Sequence, residues 1–271
     1  MESVKEQLRQ AGVSSTQATR FLRHVRTFQA QLQISFATAD VNRIFDALEL
    51  MVKLHGKQKA RPDGTPYIEH PLAVASQVLE AMANKDPDVV VAALLHDAVE
   101  DQADQLMHHV SVSPAREGEE KTQLALDAIE ERTQSARVRR LISGLTNPDF
   151  DTLLEQQGIQ ARTDDAGQAA YFAARNALYA EHVRSVIRDP DVGVIKLCDL
   201  AANALTLDAI PEAPTRARLL TKYTPVMGIM LDRLRETANP LNITQQKRGE
   251  LLVRFTDALQ SVSKNSLKEV E

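Results

Sequence analysis

The sequence has little cysteine, few aromatic residues and no tryptophan. Its single cysteine, Cys198, excludes an internal disulfide framework and predicts a reducing compartment. Aromatic residues make up only 4% of the 271 residues, so the core is expected to consist mainly of Leu, Ala, Val and Ile. No hydrophobic stretch approaches the length of a membrane span, and the N-terminus lacks the hydrophobic region of a signal peptide. We therefore predict a cytoplasmic protein that does not contact a membrane.

The sequence also has no excess of basic residues. The formal net charge is −5, which argues against binding to the phosphate backbone of nucleic acids, and we expect no nucleic-acid partner. Strand-like alternation of useful length is not found, whereas hydrophobic residues recur with helical periodicity along the chain. The sequence therefore predicts an all-α protein. Amphipathic helices near both ends would also be compatible with a homodimer.

The most informative stretch is a hydrophobic run, residues 89–95, that leads directly into four polar groups: His96, Asp97, Glu100 and Asp101. Asp86 followed by Pro87 is typical of a helix start, so we expect one helix from residue 87 to about 101. Residues four apart on a helix share a face. Charges this close to a core usually form ion pairs or coordinate metal, so the stretch predicts a metal site with acid/base groups one turn further on.

Two other segments could complete this site. Asp199, Asn203 and Thr206 form a polar stripe on an otherwise hydrophobic helix, and His70 opens a helix with Pro71. A structural alternative is that Asp199 pairs with Lys196 and holds two helices together. Combined, the three segments supply two imidazoles and two carboxylates, a donor set that favours Mn, Fe or Zn. Such an ion makes bound water more acidic and so promotes hydrolysis.

The remaining local signals predict further helices and loops. Two amphipathic helices are expected in residues 15–56, with Asp40 as the N-cap of the second, followed by a basic loop over 56–69. A surface loop is expected at 111–121, then a long helix closed by Gly144. The polar segment 147–168 is expected to be a loop or flap, and the remaining helices are predicted at 169–188, from Asp189-Pro190, at about 215–236 and at 245–263.

The order His70-Pro71, His96-Asp97 and Asp199 resembles the metal-ligand pattern of the HD superfamily. The surrounding segments more narrowly resemble the hydrolase domain of RelA/SpoT-type alarmone enzymes: 64–71 (GTPYIEHP), 92–101 (AALLHDAVED), 143–146 (SGLT) and 195–203 (IKLCDLAAN). The similarity covers about residues 44 to 208. It implies an all-α HD-domain helical bundle, which we expect to form a single domain over 1–271. Its core is expected at about 40–210, with extra helices in 1–39 and 211–271.

The resemblance implies removal of the 3′-pyrophosphate from (p)ppGpp-type alarmones, with Mn²⁺ as cofactor, giving a nucleoside 5′-di- or triphosphate and pyrophosphate. It implies as metal ligands His70, His96, Asp97 and Asp199. It also places an acidic pair beside the attacking water, Glu100 and Asp101, and three residues in contact with the substrate, Arg61, Asn203 and Thr206. No segment matches the synthetase domain of these enzymes, so the chain looks like a stand-alone small alarmone hydrolase.

The sequence departs from the family at positions that face the substrate. Pro62 stands where a lysine usually follows the loop arginine, and three apolar residues replace an arginine, a histidine and an arginine: Leu200, Ala202 and Leu205. The metal set is complete, so hydrolysis is expected while the base preference stays open, including the adenosine analogue (p)ppApp. Two alternatives also stay open: an HD phosphohydrolase acting on other nucleotides, and a helical module that binds an alarmone or a partner without turnover.

Overall fold

Every regular element in the described parts of the chain is helical. The computed structural model describes residues 2–108, 118–160 and 165–268. Within these ranges the α-helices are α1 (Glu2–Gln10), α2 (Ser15–Ser35), α3 (Thr38–His55), α4 (Glu69–Ala81), α5 (Pro87–Leu94), α6 (Ala98–His108), α7 (Gly118–Thr133), α8 (Ala136–Leu145), α9 (Phe150–Gln156), α10 (Asp165–Val186), α11 (Pro190–Ala204), α12 (Ala213–Arg235) and α13 (Gln245–Lys268). A short 3-10 helix, Leu207–Ala209, follows α11. The predicted all-α fold is confirmed.

The core is built from aliphatic side chains around α5 and α11. Residues 89–94 of α5 are all buried, and the helix packs against α3, α4 and α8. Helix α11 packs against α4, α8 and α12 and buries the single cysteine, Cys198. The terminal regions join the same core, since Val4 of α1 and Phe255 of α13 are fully buried. The division into a core at 40–210 and flanking helices stays a prediction.

Two of the predicted helix starts have the expected caps. The side chain of Asp86 accepts a hydrogen bond from the backbone N–H of Asp88 at 2.9 Å, and Asp189 caps α11 in the same way. The N-cap predicted at Asp40 is wrong, because α3 already begins after Ala37. Asp40 instead lies in the first turn of α3, where a negative charge is favourable near the positive end of the helix dipole.

The predicted single helix over residues 87–101 is wrong, because the chain turns between α5 and α6. Leu95 leaves the helical conformation, with φ −108° and ψ 12°, and ends α5. His96 and Asp97 therefore lie in the turn, and the acidic pair that follows lies in the first turn of α6. The turn places Asp97, Glu100 and Asp101 at a cavity, while His96 stays buried beside it.

The helix predicted to end at Gly144 is divided in two. Gln134 adopts φ 52°, which ends α7, and Ser135 then caps α8 by accepting a hydrogen bond from Val138 N at 3.2 Å. Gly144 is not a helix terminator, since α8 continues to Leu145. A Cβ at Gly144 would lie 3.1 Å from Val192 Cγ2, so glycine here allows α8 and α11 to pack closely.

The polar segments contain more helix than predicted. Residues 150–156 of the expected loop or flap form α9, capped by Asp149, and α10 begins at Asp165. Of the surface loop predicted at 111–121, residues 118–121 belong to α7, and residues 111–117 lie outside the described parts. Among the described helices, none has both the length and the hydrophobicity needed to cross a membrane.

Candidate metal centre and active site

The turn between α5 and α6 fixes the orientation of His96. The ring Nδ1 lies 2.9 Å from the carbonyl oxygen of Ala93, and because a carbonyl can only accept, Nδ1 must donate. In the neutral ring the lone pair then resides on Nε2, the nitrogen that faces Asp97. Histidine ligands of metals are commonly oriented by such a hydrogen bond to a backbone carbonyl.

Four predicted residues from three segments meet around this nitrogen. His96 Nε2 lies 3.1 Å from Asp97 Oδ2 and 3.7 Å from Asp199 Oδ1. His70 Nε2, from α4, lies 3.2 Å from Asp199 Oδ1 and 3.6 Å from Asp97 Oδ2. Among the described residues, the ion-pair partners of Asp199 are these two histidines. The alternative pairing of Asp199 with Lys196 is therefore not the arrangement found.

The cluster fits a divalent metal ion. Ligand atoms of His70, His96 and Asp97 all lie within 4.8 Å of one another. His96 Nε2 is buried and has no hydrogen-bond partner among the described residues, although a carboxylate oxygen lies close to it. A buried polar atom without a partner costs free energy, and a cation between the nitrogen and the carboxylate would remove that cost. Two imidazole nitrogens and two carboxylate oxygens suit Mn, Fe or Zn.

Charges within the cluster shift its pKa values strongly. Burial disfavours a charge on His96, but Asp97 and Asp199 outweigh burial and raise the pKa of His96 well above its usual value. Burial likewise opposes ionisation of Asp97, yet the adjacent His96 lowers the pKa of that carboxyl. Both effects favour ionised carboxylates, the state in which they can bind a cation.

Tyr67 is a site residue to which the sequence assigned no role. Its hydroxyl donates a hydrogen bond to Asp97 Oδ2 at 2.6 Å, and its ring stacks on His55 with centroids 5.2 Å apart. Burial, followed by the charges of Asp97 and Asp101, raises the pKa of Tyr67, so the hydroxyl stays protonated and remains a donor. Its proximity to His70 in the segment 64–71 was the available signal.

The acidic pair at the start of α6 is held by residues from two other segments. Glu100 accepts hydrogen bonds from the backbone N–H of Asn147 at 2.8 Å and from its Nδ2 at 3.1 and 2.9 Å. Asp101 Oδ2 accepts one from Gln58 Nε2 at 2.8 Å. Glu100 is open to solvent through the cavity mouth, but the surrounding protein raises its pKa by desolvation. A carboxyl with a raised pKa is suited to proton transfer near neutral pH.

Asn203 is hydrogen-bonded to the metal cluster, and Arg61 is connected to the cluster only through Asn203. Arg61 Nη2 donates to Asn203 Oδ1 at 3.0 Å, and Asn203 Nδ2 donates to Asp199 Oδ1 at 2.7 Å. Thr206 lies beyond the end of α11, and its hydroxyl donates to the carbonyl of Ala202 at 2.8 Å while the residue lines the same cavity. All nine predicted site residues except the buried His96 line this cavity, whose volume is about 390 Å³.

The cavity also contains cations that could bind phosphate. Its lining includes four basic residues: Lys59, Arg61, Lys196 and Lys222. Lys196 is 5% exposed, and Lys222 Nζ lies 4.7 Å from the ring centroid of Tyr179 and 5.2 Å from that of Tyr223. Burial lowers the pKa of Lys222. No role was predicted for Lys222 and Tyr223, because they lie on α12, beyond the stretch that carries the resemblance.

The part of the chain that forms the candidate site is similar to known proteins. The HD domain family matches residues 47–225. The guanosine-3′,5′-bis(diphosphate) 3′-pyrophosphohydrolase of Aquifex aeolicus is 29% identical over 161 residues, which are 59% of this chain and 17% of that protein. A Homo sapiens protein of the same name is 30% identical over 123 residues, 45% of this chain and 57% of the human one. The bifunctional (p)ppGpp synthase/hydrolase RelA of Mycobacterium tuberculosis is 44% identical over 66 residues, 24% of this chain and 8% of that protein. The chain thus spans less than two thirds of each relative.

Proposed function

The chain belongs to the HD-domain family, and from this membership we propose that it is a metal-dependent hydrolase that removes the 3′-pyrophosphate of (p)ppGpp-type alarmones. The names of the relatives from Aquifex aeolicus and Homo sapiens support this reaction. The single observation that carries it is the convergence of two imidazoles and two carboxylates beside an acidic pair, in a cavity that also contains basic residues. Metal-assisted hydrolysis of an anionic substrate needs these three components together.

We propose that the metal is Mn²⁺ and that its ligands are His70, His96, Asp97 and Asp199. When bound, the ion would withdraw charge from the phosphoryl oxygens and acidify a nearby water molecule. Tyr67 and Ala93 would keep the carboxylate and imidazole ligands in place through the hydrogen bonds described above.

The acidic pair would move the protons. Water attacks the phosphorus attached to the 3′-oxygen, Glu100 accepts the proton of the water, and the bond from phosphorus to the 3′-oxygen breaks. The proton that Glu100 takes from the water would be returned to the departing 3′-oxygen, with Asp101 as the proposed relay. The products are the nucleoside 5′-di- or triphosphate with a free 3′-hydroxyl, and pyrophosphate. Asn147 and Gln58 orient the two carboxylates and so act as positioning residues.

Other residues that line the same cavity would bind the substrate. Arg61, Asn203 and Thr206 are the proposed nucleoside contacts. Lys196 and Lys222 line the same cavity and are the proposed contacts of the phosphate oxygens. The arginine and histidine that the resemblance leads one to expect near Asp199 are replaced by apolar residues. We therefore propose that the adenosine alarmone be tested as a substrate beside the guanosine alarmone.

The experiment is a substrate panel with product identification. The purified chain is incubated with Mn²⁺ and guanosine and adenosine 3′,5′-bis-diphosphates, nucleoside triphosphates and nucleoside monophosphates. The proposal expects pyrophosphate as the inorganic product, formed from a bis-diphosphate only. Release of phosphate, or turnover of mono- or triphosphates alone, would instead identify a different HD phosphohydrolase.

Matched variants decide whether the metal centre is responsible. His96→Ala and Asp199→Ala should abolish turnover, whereas Asp127→Ala, which removes an exposed carboxylate paired with Arg139, should not. Turnover that survives both site variants would refute the proposal. Binding of an alarmone by calorimetry without any product would support the non-catalytic module. A cytoplasmic location and a homodimer stay predictions, which fractionation and light scattering would test.

A further inference from the structure

A second cavity lies where α5 and α11 begin, at the ends of these helices that are remote from the candidate metal centre. Its volume is about 630 Å³, and it shares no lining residue with the candidate active site. We call it the α5–α11 cavity. Its walls come from residues 83–87, Arg137, residues 190–191, the end of α12 and residues between 240 and 248.

The α5–α11 cavity carries an excess of positive charge. Its charged lining residues are Lys85, Arg137, Arg233 and Arg248, against Asp86 and Asp191. Both carboxylates are already engaged by Arg137, at 2.8 Å from Asp86 and 2.7 Å from Asp191. Outside the lining, Glu236 pairs with Arg233 at 3.1 Å, so the surplus over all these groups is one positive charge. These contacts leave one unit of positive charge shared among Lys85, Arg233 and Arg248.

Arg233 has a hydrogen-bonding edge that nothing in the described structure uses. Its side chain is only 5% exposed. Nε donates to the carbonyl of Ile187 at 2.8 Å and Nη1 to Glu236, but Nη2 is buried and has no partner among the described residues. Burial, with a further contribution from Arg248, lowers the pKa of Arg233. Arg233 already pairs with Glu236, but its buried Nη2 donor costs free energy until an acceptor binds it.

The backbone N–H groups at the N-termini of α5 and α11 are not available to bind an anion in the cavity. Asp86 and Asp189 already cap α5 and α11, and their carboxylates occupy the first N–H groups of both helices. The groups left to bind an anion are therefore Arg233 Nη2 and Arg248 Nη1, because Arg248 already donates through Nε to the carbonyl of Leu234 and through Nη2 to that of Glu236. Guanidinium groups bind phosphoryl oxygens through paired, charge-assisted hydrogen bonds. Prolines and leucines of the wall offer apolar contacts to an organic portion of a ligand.

We propose that the α5–α11 cavity binds a phosphorylated small molecule, with its phosphoryl oxygens on Arg233 and Arg248. The ligand is either an inorganic phosphate species or the diphosphate group of a nucleotide, which share this chemistry. The site is separate from the candidate active site and does not depend on a metal ion. Since α5 and α11 lead from it toward the metal centre, an occupant would contact the helices that carry or precede three of the proposed ligands.

Titration calorimetry on the full chain, in chelator and at low salt, provides the test. Phosphate, pyrophosphate and a nucleoside diphosphate are titrated separately, and the comparison identifies which source binds best. Gln245→Glu places a negative charge on an exposed residue that lines the cavity, whereas Gln246→Glu makes the same change on its exposed neighbour outside the lining. We expect Gln245→Glu to weaken binding about threefold to fivefold, in keeping with exposed charge pairs, and Gln246→Glu to leave it unchanged.

Two further variants distinguish binding in the α5–α11 cavity from binding in the candidate active site. Arg233→Lys keeps the charge but removes the paired donors, and it should weaken binding about tenfold. Arg61→Ala alters the candidate active site only, so it should leave unchanged the binding that Gln245→Glu weakens. The proposal fails if none of the three probes binds, if Gln245→Glu and Gln246→Glu have equal effects, or if Arg61→Ala alone abolishes binding. It does not require the proposed hydrolysis, because no turnover is measured.

Discussion

Replacing Asn147 by alanine should shift the acid limb of the pH–rate profile to higher pH. Desolvation raises the pKa of Glu100, and the hydrogen bonds from Asn147 oppose that rise by stabilising the ionised carboxylate. Alanine keeps the backbone N–H but removes both Nδ2 bonds. The pKa of Glu100 then rises further, so a higher pH is needed before the carboxylate can accept a proton. Asn147 Oδ1 has no partner among the described residues, so its loss leaves no donor unmet.

The size of the shift follows from the strength of hydrogen bonds to a charged group. Such bonds contribute about 1.5–3 kcal/mol when protein provides both partners. Glu100 is open to solvent, and water would replace roughly half of that contribution. One pH unit corresponds to about 1.4 kcal/mol, so we expect the limb to move by roughly half a unit to one unit. Above the limb, the rate should return close to that of the unaltered protein.

The assay is the initial rate of pyrophosphate release at saturating Mn²⁺ across a pH series. Gln58→Ala is the matched control, because it removes a hydrogen bond that Asp101 accepts and none that Glu100 accepts. Thermal unfolding of each variant shows whether the fold is retained. If Asn147→Ala leaves the limb in place while Gln58→Ala moves it, the assignment of Glu100 as the proton acceptor is refuted and Asp101 takes that role.

Three further changes test the site and the packing. Tyr67→Phe removes the donor to Asp97 Oδ2 and should weaken metal affinity about tenfold by calorimetry; unchanged affinity would exclude a supporting role. Arg61→Ala should raise KM roughly tenfold while kcat changes less, since its guanidinium lines the cavity without joining the metal cluster; an equal fall in kcat would contradict this. Gly193→Ala should destabilise the fold by about 1–3 kcal/mol in urea, because its Cβ would collide with the leucine packed over it. Gly228→Ala, with no atom within 4 Å of its Cβ, should stabilise α12 by about 0.5–1 kcal/mol, so equal effects at the two glycines would refute the packing argument.

Local sequence signals predicted the helices well where the signal and its effect lie within a few residues. The Asp-Pro pairs at 86–87 and 189–190 start helices because the carboxylate and the proline act on the adjacent turn itself. The turn at residues 95–97 and the positive φ of Gln134 carry no such mark, since neither contains glycine or proline. They depend on how the buried helices pack against one another, which a local pattern does not record.

The candidate site divides in the same way. The metal-ligand set could be proposed because its members occur in ordered segments that resemble a family. The partners that orient Glu100 and Asp101 could not be predicted, because Asn147 and Gln58 are distant in sequence from α6 and approach it only in the folded chain. Lys222 likewise reaches the cavity only because α12 packs on α10 and α11.

Because Cys198 is buried, the rate at which its thiol is modified reports local opening of the protein. Burial raises the pKa of this thiol to about 12, and the thiolate is the form that alkylating reagents attack. Modification by iodoacetamide can therefore proceed only when α11 separates from its neighbours, and no other thiol competes. Because Asp199 is the next residue, an ion held there would slow alkylation by a factor that grows exponentially with the free energy by which it stabilises the closed state.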